Sequence, residues 1–195
     1  MIPALDVAIR RNLSRRSVCS GRPAAVPLKP ISFSCVEILD ISAAEIAKQI
    51  LDVSQWPDFK GFGPLPGIKV AEFELKTPEI VGSRIRVTNV HGSSHVEEIV
   101  EWQPDYRITL HMTEFSFPLA LFATGFEETW HFDRIGNGTR VIRSFKLRAK
   151  SALTRPMLWG ISIFLKKAIA RHLQQTHNLP LDQLGDLQIH FAPSR

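Results

Sequence analysis

Residues 126–147, FEETWHFDRIGNGTRVIRSFKL, are the most informative stretch of the chain. Ile135-Gly136-Asn137-Gly138 has the residues a tight turn needs, and the flanking runs are rich in aromatic and β-branched side chains. Two antiparallel strands joined there place Phe132 opposite Val141, Trp130 opposite Arg143, Glu128 opposite Phe145 and Phe126 opposite Leu147. Side chains alternate along a strand with period two, so all eight share one face of the sheet. Six of the eight are apolar, which marks this face as the buried one and draws Glu128 and Arg143 inside as diagonal neighbours. A slip of one residue would turn Arg143 outward.

Upstream of the hairpin, further β-type runs occupy 68–76, 83–91, 95–103, 106–117 and 120–133, and 139–149 forms its second arm. Gly92-Ser93-Ser94 and Gln103-Pro104-Asp105 supply short turns, so the strands form an antiparallel meander. Ahead of them, Phe33, Cys35, Val36, Ile38 and Leu39 read as a first strand. Ser42 with Glu45 three residues on forms a capping box, and Ala43, Ile46, Ala47, Ile50 and Leu51 continue as a helix that ends before Trp56-Pro57. Between helix and meander lies Lys60-Gly61-Phe62-Gly63-Pro64-Leu65-Pro66-Gly67, dense in breakers yet carrying large apolar side chains. After Lys150 the period turns helical from about Thr154 to Thr176, with Met157, Ile161, Leu165 and Ala168 on one stripe and Leu158 and Phe164 at its edges.

The chain has 195 residues, enough for one domain with its own core. Its net charge of +5 would raise nucleic acid as a partner. That excess resides in residues 1–30, where Arg10, Arg11, Arg15, Arg16, Arg22 and Lys29 face only Asp6. The remaining residues are balanced, and neither an RNA-binding aromatic motif nor a zinc-finger spacing follows, so no nucleic-acid partner is expected. Residues 1–30 read as a basic, structureless extension, 31–177 as the folded domain, and 178–195 as an apolar tail that packs on it. The extension is Arg-rich and acid-poor, which suits an organelle transit peptide better than a secretory signal, since no apolar stretch follows its arginines. Two cysteines, Cys19 and Cys35, make no disulfide framework and point to a reducing, cytoplasmic setting.

The wording Phe126-Glu127-Glu128-Thr129-Trp130-His131-Phe132, the Gly136-Asn137-Gly138-Thr139-Arg140-Val141 hairpin and the long helix from Pro156 resemble the polyketide cyclase/dehydrase and lipid-transport branch of the START-like (SRPBCC) superfamily. The similarity runs from about Phe33 to Leu173. It implies an α+β helix-grip fold of the START/Bet v 1 kind, a curved antiparallel sheet wrapped around a long C-terminal helix. It also implies a container for a lipid, quinone or polyketide-like molecule, in a superfamily that mixes carriers and enzymes.

For such a container the candidate ligand-binding residues are Glu128 and Arg143 with Trp130 and Phe145 beside them, Trp56, Phe59 and Phe62 from the loop, and Met157, Ile161 and Leu165 from the helix. Two opposite charges in an apolar interior are costly to desolvate. They serve either as a polar anchor for a ligand or as a mutually satisfied pair at the sheet rim. The 56–65 loop is either a gate or a segment packed shut over the core. Between Glu97 and Asp133 eight acids stand against Arg107, and between Arg140 and Arg171 stand nine bases and no acid, so cross-strand pairing is expected. Arg155, Lys166, Lys167 and Arg171 accompany Trp159 and Ile163 on the helix face opposite its stripe, a pattern that suits transient contact with an anionic membrane unless the tail covers it.

No His, Cys, Asp or Glu spacing suits a metal, and no phosphate-binding or dinucleotide glycine motif or G-x-S-x-G elbow occurs, so neither metal nor cofactor is expected. The main functional expectation is binding or transport of a hydrophobic small molecule without covalent chemistry. One alternative is a cyclase/dehydratase in which Glu128, His111 or His131 moves protons. The other is a protein-interaction module with a filled core.

Overall fold

The computed structural model describes residues 28–177. The basic extension up to residue 27 and the tail 178–195 lie outside the described residues. Seven strands are β1 (Ile31–Leu39), β2 (Ile68–Leu75), β3 (Arg84–Asn89), β4 (Ser94–Gln103), β5 (Arg107–Thr113), β6 (Ala123–Ile135) and β7 (Gly138–Ala149). They form one antiparallel sheet in the order β1-β7-β6-β5-β4-β3-β2. Every neighbouring pair but one is a sequence-adjacent hairpin, and β1 joins the free edge of β7. The helices are α1 (Ala43–Leu51) and α2 (Arg155–His177).

The hairpin register is the one the sequence dictates, with Phe132 opposite Val141, Trp130 opposite Arg143, Glu128 opposite Phe145 and Phe126 opposite Leu147. These inward side chains, with Ile108, Leu110 and Met112 of β5 and Ile85 and Val87 of β3, line the concave face of the sheet. On β1, Phe33 stacks on Phe145 with ring centroids 5.1 Å apart, and Cys35 is buried beneath α2 with its thiol directed at the Lys166 carbonyl. Burial pushes that thiol's pKa up, which suits an inert small hydrophobe. Ser42 caps α1 by accepting from the Glu45 amide at 3.2 Å.

Three elements depart from the sequence expectation. The strand expected over 106–117 ends at Thr113, and β6 starts at Ala123 rather than residue 120. Glu114 adopts a left-handed backbone, and Pro118 offers no amide to a ladder, so 114–122 becomes a loop despite its alternating apolar residues. On α2 the buried residues are Leu158, Ser162, Leu165, Ala168, Ile169 and Leu173, so the expected stripe holds at Leu165 and Ala168 and is rotated in the first turns. Leu158, expected at an edge, is fully buried, whereas Met157, expected on the stripe, is 55% exposed. Apolar residues occupy nearly the whole circumference of the helix's first turns, so periodicity alone leaves its rotation open.

The opposed charge blocks meet on the outer face. Glu127 takes Lys146 at 2.7 Å and Arg148 at 3.4 Å across the β6–β7 ladder. Arg84 and Arg86 share Glu114 and Glu74 at the other end of the sheet.

Candidate functional site

The sheet does not close on α2. Between them lies a cavity of about 1180 Å³, bounded by the inner faces of β4 to β7, the inner side of α2 and the loops after α1 and β5. The expected filled core of an interaction module is therefore not what the chain builds.

Glu128 and Arg143 line this cavity as a buried pair. The Glu128 side chain is 3% exposed and that of Arg143 12%, so the pair does not sit at a solvated rim. Arg143 donates from Nε to Glu128 Oε1, and its guanidinium lies over the Trp130 ring at 4.2 Å and near Phe145 at 5.5 Å. Burial pushes the Glu128 carboxyl above its ordinary value, and Arg143 opposes that shift. Arg143 Nη1 is buried with no hydrogen-bond partner among the described residues. A guanidinium N–H of that kind can donate to an acceptor oxygen arriving from the cavity.

Of the loop residues, Trp56, Phe59, Pro64 and Leu65 line the cavity. Trp56 is held by its indole N–H donating to the Ile50 carbonyl at 3.1 Å. The turn that carries the loop back is pinned at Gly61, whose φ is +72° and where a Cβ would stand 2.2 Å from the Leu65 carbonyl oxygen. Phe62 is a correction. It does not reach the cavity but lies under Lys167 and Arg171 of α2, with the cations 5.8 and 5.5 Å from its ring centre, because its bridge to Leu65 turns it away. From α2, Ile161 and Leu165 line the cavity, and Met157 stands at its mouth.

His111 and His131 are a second correction. Their register partners, Glu127 and Arg107, place both on the outer face of the sheet, away from the cavity. His111 approaches Glu127 at 3.8 Å, and His131 packs edge-on against Tyr106. The histidines that do line the cavity are His91, His95 and His172. His172 meets the Phe59 ring edge-on at 5.8 Å, and burial together with the Arg143 charge brings its pKa down to about 4. Sequence reasoning missed Glu97, which is buried, lines the cavity and pairs with His95 at 3.0 Å.

No protein-family model and no curated protein sequence matches the chain. Solved structures do match. A START superfamily protein from Mycobacterium smegmatis aligns at 14% identity and a TM-score of 0.59, covering 78% of this chain and 98% of that one. The chain has the START-like helix-grip fold. Ginseng major latex-like protein 151 from Panax ginseng shares this fold at 15% identity and a TM-score of 0.57, over 78% of this chain and 99% of its own. The Zhui aromatase/cyclase from Streptomyces sp. R1128 shares it at 12% identity and a TM-score of 0.57, over 74% and 91%. At these identities the helix-grip likeness is a likeness of fold. Among the described residues, no helix is long and apolar enough to cross a membrane, and no group of three His, Cys, Asp or Glu side chains is placed to hold a metal ion.

Proposed function

We propose that the chain binds a hydrophobic small molecule in the cavity between sheet and helix, with Arg143 and Glu128 as its polar anchor. One observation carries this: a cavity of about 1180 Å³ with mostly apolar walls contains a buried Arg–Glu pair and a guanidinium N–H still without a partner. That volume is at or above the usual range for small-molecule sites. Trp56, Phe59 and Leu65 are the gate, Trp130 and Phe145 flank the anchor, and Ile161, Leu165 and Met157 form the helix wall. The cyclase/dehydratase alternative is weaker, because two of its three proton carriers, His111 and His131, stand outside the cavity.

Gly160 offers the direct test. It lines the cavity in the first half of α2, and a Cβ there would meet nothing within 4 Å. The Gly160→Leu protein therefore pushes a side chain into the binding space without a backbone clash, and it gains roughly 0.5–1 kcal/mol of helix propensity. Titrated with the apolar fluorophore anilinonaphthalene sulfonate, it is expected to bind about tenfold more weakly than the natural protein while unfolding at equal or higher urea. Unchanged affinity would place the dye outside the cavity.

The rim of the cavity supports ligand exchange at an anionic lipid surface. Residues 115–122 carry no charge, and Phe117 is 75% exposed beside the mouth. Lys150 Nζ reaches the Ala120 carbonyl at 3.2 Å and Thr154 Oγ1 the Phe122 carbonyl at 3.2 Å, so Leu153, 93% exposed, adjoins the same patch. Trp159 and Ile163 are also exposed on α2. Lys150 and Arg155 stand on either side of Leu153 in the chain. Sedimentation with phosphatidylserine-containing vesicles is expected to fall at least about fivefold on Phe117→Glu/Leu153→Glu substitution. Equal sedimentation of the two proteins would remove this surface from the exchange route.

A further inference from the structure

Glu97 and His95 form a second polar pole in the same cavity. Both are on β4, two residues apart and therefore on one face, with Glu97 opposite Ile85 on β3 and Met112 on β5. Met112 in turn faces Phe126, and Phe126 faces Leu147, so Glu97 projects from an otherwise apolar row. His95 Nε2 and Glu97 Oε1 are 3.0 Å apart, with side chains only 16% and 9% exposed. Glu97 Oε2 takes part in no hydrogen bond among the described residues, although the side chain lines the cavity. Burying a lone ionisable pair costs more than an apolar pair of similar volume. The row of Glu97 is otherwise apolar, with Ile85, Met112, Phe126 and Leu147 filling the positions beside it, so packing there has no need of a charge.

The two poles are separated. Glu97 is on β4 and Glu128 on β6, two strand spacings or about 10 Å apart across the sheet, and Glu97 is still near enough for its charge to act on Glu128. Leu110 and Met112 of β5 form the apolar floor between them.

We propose that the ligand is a compact apolar molecule with an oxygen function at each end, one accepting from Arg143 Nη1 beside Glu128 and the other a hydroxyl donating to Glu97. Single-headed amphiphiles such as fatty acids satisfy only one pole and leave the other without its partner. Glu97 is thus a specificity-determining residue, and His95 positions it by holding its other oxygen. The proposal rests on the cavity being the binding site.

The test uses two rigid probes, biphenyl with a hydroxyl at both para ends and its analogue with one, each displacing anilinonaphthalene sulfonate from the full chain. The diol is expected to bind about tenfold tighter, the gain of one hydrogen bond to a charged group. In the Glu97→Met protein the preference for the diol is expected to vanish. Should that protein not fold, Glu97→Gln, which keeps an acceptor and loses the charge, is expected to reduce the preference at least about threefold. A natural protein that binds both probes equally, or a preference that survives these substitutions, overturns the second pole and leaves the binding proposal standing. Failure of the dye to enter a Gly160-sensitive site would instead overturn the binding proposal itself.

Discussion

The Arg143→Met protein is expected to lose about 3–5 kcal/mol of folding stability, the usual consequence of removing one partner from a buried ion pair. Methionine replaces the apolar stem over Trp130 but leaves the Glu128 carboxylate in an apolar interior without its cation. The loss is expected to depend on pH. Glu128 is already raised by burial in the natural protein, and without Arg143 it rises further. A carboxyl whose folded pKa lies above its unfolded value binds a proton in the native state that the unfolded chain does not hold. The native state then loses about 1.4 kcal/mol for each pH unit between the unfolded and folded values. The variant's deficit should therefore be small near pH 5 and grow toward pH 8 in urea unfolding. The double variant Glu128→Leu/Arg143→Met removes both charges and is expected to recover most of the loss, because apolar side chains of similar volume often match or exceed a buried pair. A deficit below 1 kcal/mol at both pH values would mean that water reaches the pair.

That pair was legible in the sequence because a short glycine-rich turn between two alternating runs allows few registers, and only one buries six apolar residues together. The same logic fails on β4. Val96 and Ile99 are both apolar and of opposite parity, with Glu97-Glu98 between them, so alternation cannot say which glutamate points inward. The fold settles it through pairing on both sides. Glu98 faces Arg84 and His111 on the outer surface, and Glu97 faces Ile85 and Met112 within. Val96 is on the outer face and buried all the same. The loop at 114–122 misled for the opposite reason, since Phe115, Phe117, Leu119 and Leu121 alternate as a strand would, but no neighbouring strand pairs with them. Phe62 was placed by its chemistry in a wall it does not reach, a matter of loop direction that composition does not record, whereas Met157 does line the cavity although it is half exposed at the mouth.

Acidification should weaken the fold through His172, and the sign follows from its burial. The ring lines the cavity near the C-terminal end of α2, against Phe59, and first burial and then the Arg143 charge hold its pKa at about 4 rather than 6.5. Above pH 6.5 the ring is neutral in both folded and unfolded chains, so its titration costs nothing. Between 6.5 and about 4 the unfolded chain takes up a proton that the native state refuses, and stability falls with falling pH. Across the whole window the loss approaches about 3 kcal/mol, at about 1.4 kcal/mol per pH unit. Glu128 acts with the opposite sign, because a carboxyl raised by burial favours the native state as it gains its proton. The two contributions separate in the difference between the natural protein and the His172→Gln variant, in which the Glu128 contribution is common to both. That difference in urea unfolding free energy should change steadily from pH 7 to pH 4.5, with the natural protein losing ground to the variant. A difference that stays constant over the range would mean that His172 takes up its proton as readily in the folded cavity as in water.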